Sequence, residues 1–171
     1  MVKSMELRKP TMNDEIRIKK YIEEHYANGE YEIYASNGLT SMNYEDWLEY
    51  LAYCEKGLDK EWGNSETFIL INNDKIIGMT NIRYNLSNDL KEKYGNIGYS
   101  VIPSERRKGY ATYLLKVALV KCKYYGLEEV IVGCYKDNIA SNKTILKNGG
   151  VLYNETIMDG KEAIYYKIIC K

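Results

Sequence analysis

The feature that most constrains the fold of this chain is a strand that leads through a basic turn into an amphipathic helix. Residues 97–102 form the predicted strand, and Pro103 closes it. The apolar residues of the helix recur at helical spacing on one face: Ala111, Leu114, Leu115, Ala118, Leu119 and Cys122. Gly126 ends this helix, and Glu129–Cys134 follows as a buried strand. Two strands joined by a helix imply parallel pairing, so this unit predicts an α/β protein.

The remaining segments add helices in the first third of the chain and two hairpins. The predicted early elements are a strand at Met5–Lys9, a helix with Ile18, Tyr21, Ile22 and His25 on one face, and a helix from Asn43 to Gly57. The predicted hairpins are Thr67–Ile71 with Lys75–Tyr84, and Val151–Met158 with Glu162–Ile169. Residues 138–147 form a shorter helix, and residues 86–95 are predicted to be a polar loop. We therefore expect a mixed, mostly antiparallel sheet with helices on both faces, in one domain spanning residues 1–171.

The charge balance argues against a large class of partners. The chain has 24 Lys plus Arg and 24 Asp plus Glu, so no overall field attracts nucleic acid or an anionic membrane. Any anion site must therefore be local. The Arg-Arg-Lys turn lacks an accompanying aromatic cluster of the kind that nucleic-acid-binding domains use, so we predict no nucleic-acid partner.

The lengths of the apolar runs and the spacing of the cysteines indicate where the protein is located and whether it has metal sites or disulfides. No uninterrupted apolar run approaches the roughly 20 residues that a membrane span needs. Residues 1–9 lack the apolar core and cleavage site of a signal peptide, which predicts a cytoplasmic protein. The four cysteines are scattered without a Cys-x-x-Cys pair, and the chain has a single histidine, His25. The sequence therefore predicts neither a metal site nor a disulfide framework.

The chemistry that the sequence indicates most directly lies in the hexapeptide from Arg106 to Ala111. It follows a strand and opens a helix, so its free N–H groups and the positive end of the helix dipole favour a phosphate group. Gly109 permits an unusual backbone angle, Ala111 leaves room, and the basic side chains add positive charge. A solvated basic turn is the alternative interpretation of these six residues. The two common nucleotide loops do not fit, because Gly-Lys-Ser/Thr and Gly-x-Gly-x-x-Gly are both missing.

At this point the sequence resembles the GNAT acyltransferase superfamily. The signature of that superfamily is Arg or Gln, two residues, Gly, one residue, then Gly or Ala, and Arg106, Gly109 and Ala111 match it. A second block, Asn138-Ile139-Ala140-Ser141 with Lys147-Asn148-Gly149-Gly150, follows in register. The clear resemblance covers residues 96–151, and residues 82–111 are similar to a bacterial subgroup of predicted acetyltransferases. The first 60 residues match only in the order of strand and helix.

The resemblance implies the binding of acetyl-CoA as the acyl donor. It implies that the strand at Tyr99 pairs with the pantetheine arm like an added strand and that the amides of residues 107–112 hold the diphosphate. Asn138 and Ser141 would approach the arm and the adenosine side. The implied donor-binding residues are Tyr99, Ser100, Val101, Arg106, Arg107, Lys108, Gly109, Tyr110, Ala111, Thr112, Asn138 and Ser141.

The resemblance also implies direct transfer of the acetyl group to a primary amine of a small molecule or peptide in a ternary complex. The N–H of Tyr99 would stabilise negative charge on the thioester carbonyl oxygen. Family members place Glu or His at the start of that strand, where this chain has Asn96, which can hold a water but cannot act as a base. The family's proton-donating Tyr is replaced by Ile145.

The acid and the base are therefore left open by the sequence. The candidates by placement are Tyr135, Asp137 and Glu66, and for each a packed tyrosine or a solvated carboxylate is the alternative. Arg83 is a candidate for binding a substrate carboxylate, against an ordinary exposed strand arginine. His25 lies at core spacing, which indicates packing.

Two further alternatives concern function and assembly. Because Glu, His and Tyr are missing from their usual places, a non-catalytic acyl-CoA sensor or interaction module is the alternative function. The terminal hairpin can present a strand edge, which is compatible with a homodimer.

We expect replacement of Gly109 by a bulky residue such as Leu to weaken CoA binding sharply. The side chain would fill the space beside the phosphates and remove the backbone freedom that glycine provides. Isothermal titration with CoA measures this effect, and an unchanged affinity would contradict the location of the phosphate site.

Overall fold

The structure is a computed structural model that describes residues 5–171. The first four residues of Met1–Lys9, where the sequence predicts no signal peptide, lie outside the described part. The strands are β1 (Met5–Arg8), β2 (Ser65–Asn72), β3 (Lys75–Arg83), β4 (Ile97–Val101), β5 (Glu129–Tyr135), β6 (Val151–Met158) and β7 (Lys161–Ile169). The α-helices are α1 (Glu15–Ala27), α2 (Tyr44–Glu55), α3 (Asn88–Tyr94), α4 (Tyr110–Tyr124) and α5 (Ile139–Lys147).

The strands form two antiparallel sheets. The first has the order β1-β2-β3-β4 and the second the order β5-β7-β6. Both predicted hairpins are confirmed, and their two-residue turns adopt the left-handed backbone that such turns require. Asn73 and Asp74 have φ angles of 49° and 65°, and Asp159 and Gly160 have φ angles of 51° and 75°.

The core consists of two main layers of packed side chains. Helices α1 and α2 pack on the first sheet through Ile18, Tyr21 and the fully buried Trp47. Helix α4 buries Leu115 and Ala118 in a second cluster that joins both sheets with α5. The structure thus confirms the mixed α/β class, with antiparallel strands and helices on both faces.

The expected parallel pairing of β4 with β5 is reduced to one junction. The Asn96 N–H donates to the Ile131 carbonyl at 2.7 Å. The Ile131 N–H donates back to the Asn96 side-chain Oδ1 at 2.9 Å. Because a side-chain oxygen takes the place of a main-chain carbonyl, the ladder does not continue, and within residues 5–171 the two sheets share no parallel ladder. The prediction of a parallel ladder was wrong for this reason.

The sequence predicts a polar loop over residues 86–95, but most of this segment is helical. Helix α3 forms there, with the Ser87 hydroxyl accepting a hydrogen bond from the Leu90 N–H, and Gly95 with φ 73° ends it. The helix has no buried residue, so no apolar periodicity indicates it. Among the described helices, none is long and apolar enough to cross a membrane.

We expect Asn96→Ala to lower the free energy of unfolding by about 2–4 kcal/mol. The change leaves the Ile131 N–H and the Arg83 carbonyl without their partners at a site that is 2% exposed. Urea unfolding measures the loss, with Asn154→Ala on the exposed strand β6 as the control. A loss below about 1 kcal/mol would mean that the side-chain hydrogen bonds of Asn96 contribute little to holding the two sheets together.

Candidate active site

Strand β4 has a free edge that faces the gap between the two sheets. The Arg83 N–H donates to the Asn96 carbonyl and the Ile102 N–H donates to the Ile77 carbonyl, at 2.7 and 3.0 Å. Main-chain groups of an antiparallel strand alternate in direction, so those of Tyr99 point away from β3. Within the described chain, no main-chain hydrogen bond joins residues 97–101 to β5. An extended ligand can therefore pair with this edge.

The turn that follows β4 ends in a series of unpaired amides. Among the residues that the structure describes, no main-chain acceptor receives a hydrogen bond from the N–H groups of residues 107–112, and Gly109 provides no side-chain cap. Tyr113 is the first residue whose N–H bonds back, to the Gly109 carbonyl at 3.0 Å. These amides lie at the positive end of the α4 dipole, which makes the turn suitable for an anion.

The backbone of this turn is left-handed at two positions. Arg107 has φ 62° and Gly109 has φ 85°. A Cβ built on Gly109 would have no protein atom within 4 Å. The space beside Gly109 is therefore open, and a side chain there would be opposed by the backbone angle and by an anion held on the amides.

Two of the three basic side chains in the turn are already paired with carboxylates. Arg106 makes two bonds to Glu30, at 2.6 and 2.7 Å, and its Nε donates to the Val101 carbonyl at 3.0 Å. Lys108 lies 3.0 Å from Glu105. The hydrogen bonds from Arg106 lower the pKa of Glu30 to about 2. The expected positive charge of the turn is thus largely neutralised, which leaves the main-chain amides as the main groups available to an anion.

Glu30 is a site residue that the sequence did not indicate. Its carboxylate also contacts His25 Nδ1 at 2.7 Å and accepts from Asn28 Nδ2 at 3.0 Å. It therefore joins the end of α1 to the turn before α4. Glu30 and Arg106 are separated by 76 residues, and no local pattern reveals such a pair.

The opposite side of the gap is formed by the start of α5. Asn138 caps this helix by accepting the Ser141 N–H at 3.1 Å. The Ser141 hydroxyl lies 2.5 Å from the Tyr99 hydroxyl, which reaches across from β4. The structure thus brings the Tyr99 and Ser141 side chains together across the gap. Ile145, at the position of the family's tyrosine, is fully buried in the core.

Asn96 lies at the closed end of the gap. Its Oδ1 accepts from the Ile131 N–H, and its Nδ2 donates to the Arg83 carbonyl at 3.1 Å. The side chain is therefore part of the junction between the sheets. Its role in holding a water stays a prediction.

The three candidate acids and bases lie in two different places. Glu66 lies on β2, which β3 separates from the gap, and contacts Lys9 and Tyr84 at 2.7 Å each. Although burial opposes it, pairing with Lys9 lowers the pKa of Glu66. Tyr135 is instead the last residue of β5, and Asp137 follows the strand.

Near that end of β5, the charges of several carboxylates act on one tyrosine, Tyr34. Burial, and then the charges of Glu32, Asp137 and Asp159, raise the pKa of Tyr34. These side chains come from the α1–α2 segment, the end of β5 and the β6–β7 turn. The structure therefore gathers negative charge from three parts of the chain at one mouth of the gap.

The segment between α1 and α2 covers β4. A Cβ built on Gly98 would lie 3.4 Å from the Ala35 Cβ. Ala35 and Asn37 have φ angles of 62° and 51°, an uncommon backbone for residues other than glycine. Trp47 Nε1 donates to the Ser36 carbonyl at 2.8 Å and fixes the segment to α2.

Comparison with solved structures gives the same fold. Ribosomal-protein-S5-alanine acetyltransferase from Vibrio fischeri is 16% identical, with a TM-score of 0.72 over 99% of this chain and 95% of that chain. The microcin C7 self-immunity acetyltransferase MccE, in complex with acetyl-CoA and AMP, is 18% identical, with a TM-score of 0.69 over 99% and 93%. RimL, a ribosomal L7/L12 α-N-protein acetyltransferase in complex with coenzyme A, is 15% identical, with a TM-score of 0.70 over 99% and 95%. The architecture is that of acetyltransferases.

The family follows from the sequence. The pattern described as the acetyltransferase (GNAT) family matches residues 31–149, and the chain belongs to this family. No curated protein matches the chain in sequence.

We expect Glu30→Gln to weaken CoA binding about tenfold, or ~1.4 kcal/mol, because it releases Arg106 and loosens the turn. Simple electrostatics predicts a higher affinity for CoA, since the change removes a negative charge near a polyanionic ligand. Titration calorimetry distinguishes the two.

Glu105→Gln is the matched control for this variant. It removes one negative charge from the same turn but leaves the pair between Glu30 and Arg106 intact. We expect its affinity for CoA to be unchanged or slightly higher. Tighter binding by Glu30→Gln would contradict a positioning role for Glu30.

Proposed function

We propose that this protein transfers an acetyl group from acetyl-CoA to a primary amine by direct attack in a ternary complex. The observation that carries the proposal is that the free edge of β4 leads to the unpaired amides of residues 107–112. MccE with acetyl-CoA and RimL with coenzyme A support the choice of donor.

The residues present fit the chemistry of coenzyme A. The N–H groups of residues 107–112 supply donors for a diphosphate, and the open space beside Gly109 admits it closely. The Tyr99 carbonyl and the Val101 N–H, which both point away from β3, supply one acceptor and one donor for an amide-containing arm, as a neighbouring strand would. Because these groups belong to the main chain, their supply does not depend on the paired side chains of Arg106 and Lys108.

The N–H of Tyr99 is proposed to act on the reacting carbonyl group. An amine that attacks a thioester produces negative charge on the carbonyl oxygen, and a fixed N–H donor directed at that oxygen stabilises the charge. The Asn96–Ile131 junction and the ladder to β3 keep this part of β4 in place. The donor therefore needs no reorganisation during the reaction.

The Tyr99 hydroxyl is the proposed donor of a proton to the departing thiolate. Burial raises the pKa of Tyr99 well above its ordinary value, so the hydroxyl is protonated at neutral pH. Its contact with Ser141 fixes its direction in the gap. It supplies the group that Ile145 cannot.

The acceptor amine enters at the mouth that carries Glu32, Asp137 and Asp159. A protonated amine is favoured there by the surrounding negative charge, which comes from all three of these side chains. We assign acceptance of its proton to these carboxylates, through water, and not to the paired Glu66.

A non-catalytic acyl-CoA sensor is the alternative function, and it predicts binding of acetyl-CoA without turnover on any amine.

We expect thiol release from acetyl-CoA in a panel of amino acids, polyamines, aminoglycosides and peptides. Tyr99→Phe should lower kcat by about 100-fold and leave KM for acetyl-CoA within about twofold, because the main-chain N–H is kept while the proton donor is lost. Tyr124→Phe, at a tyrosine that is 85% exposed, is the control. Full kcat in Tyr99→Phe would exclude this hydroxyl from proton transfer.

A further inference from the structure

Arg83, at the end of β3, is a partly buried arginine without a carboxylate partner. Arg8, Arg17 and Arg106 each form an ion pair, and Arg107 is exposed. In the part of the chain that the structure describes, no carboxylate approaches Arg83, and burial lowers the pKa of its guanidinium with no charge opposing it. A cation that leaves water without an anion is unfavourable, so this arrangement calls for an external partner.

The guanidinium is held on one side and unpaired on the other. Its Nη1 donates to the Gly95 carbonyl at 3.1 Å, and its carbon lies 5.8 Å from the centre of the Trp62 ring. Among the described residues none accepts a hydrogen bond from Nε or Nη2. The fork of donors that suits a carboxylate or a phosphonate is thus only partly used.

The position of Arg83 relates it to the acceptor side of the gap. Its Nη2 lies 3.8 Å from the point where a Cβ on Gly98 would be, and the Ala35 Cβ lies 3.4 Å from that same point. Gly98 directly precedes Tyr99, whose N–H is assigned to the reacting carbonyl. The absence of a side chain at Gly98 leaves room between the guanidinium and β4.

Both main-chain polar groups of Arg83 form hydrogen bonds with Asn96. Its N–H donates to the Asn96 carbonyl, and its carbonyl accepts from Asn96 Nδ2. The arginine therefore projects from the junction that determines where the two sheets diverge. A ligand group held by it has a defined place relative to β4.

We propose that Arg83 binds an anionic group, a carboxylate or a phosphonate, of the acceptor amine. The substrate class is then an amino acid or another amine with an acidic group. The carboxylates around Tyr34 would face the ammonium end, and Arg83 the anionic end. This inference rests on the proposed acetyl transfer.

The experiment compares matched amines with and without the anionic group. Each set contains an amino acid, its aminophosphonate, its amide and its decarboxylated amine, with apolar, aromatic, polar and basic side chains. Thiol release gives kcat/KM, and titration of the CoA-loaded protein gives binding independently of turnover. In the native protein we expect at least one set in which kcat/KM for an anionic member is about tenfold higher than for its neutral partners. The anionic member with the higher kcat/KM shows whether Arg83 prefers a carboxylate or a phosphonate.

Two variants separate recognition from folding. Arg83→Gln should reduce the preference to less than about twofold, and Arg83→Lys, which keeps the charge but not the fork, should retain part of it. KM for acetyl-CoA should change less than about twofold in both. Arg17→Gln, at an arginine paired with the exposed Asp74, should keep the full preference.

The outcomes distinguish this inference from the proposed function. Turnover without a preference for anionic members, or with the same preference in Arg83→Gln, overturns the role of Arg83 and leaves acetyl transfer intact. Anion-selective binding without thiol release, lost in Arg83→Gln, supports the Arg83 site and contradicts acetyl transfer. If no member of any set binds or reacts, the inference is overturned.

Discussion

The divergence of β4 from β5 is the constraint on which the rest of the structure depends. At Asn96 the two sheets are joined by main-chain and side-chain hydrogen bonds to Ile131. From Ile97 to Val101, no main-chain hydrogen bond within residues 5–171 joins β4 to β5, so no strand pairs with this edge of β4. Unpaired main-chain groups inside a fold are unfavourable, so this edge is suited to pairing with an extended ligand in the way a further strand would pair.

The charge distribution around this gap explains how a chain with no net charge can bind a polyanion. Glu30 and Glu105 neutralise Arg106 and Lys108, so attraction to phosphate falls mainly to oriented amides. At the other mouth, carboxylates from three segments lie near Tyr34, while Arg83 has no counter-ion among the residues that the structure describes. Main-chain groups therefore predominate at the turn before α4, and charged side chains predominate at the other mouth of the gap.

Local patterns were sufficient to predict most elements of the fold. Both hairpins, the cap at Asn43 and the end of α4 at Gly126 follow from residues close together in the chain, and the structure confirms them. Helix α3 was missed because its side chains are polar or exposed and give no apolar period. The parallel ladder was wrongly predicted because the Asn96 side chain, and not a backbone carbonyl, meets Ile131.

The sequence by itself determined the strand, the turn with Gly109 and the helix, because backbone angles and helix dipoles depend on neighbouring residues. Only the tertiary structure decided which charges remain free. Glu30 reaches Arg106 across 76 residues, whereas no carboxylate within residues 5–171 folds back towards Arg83. Such pairings depend on how distant segments pack, and the free energy of a charge is set by its surroundings in space, which the order of residues does not reveal.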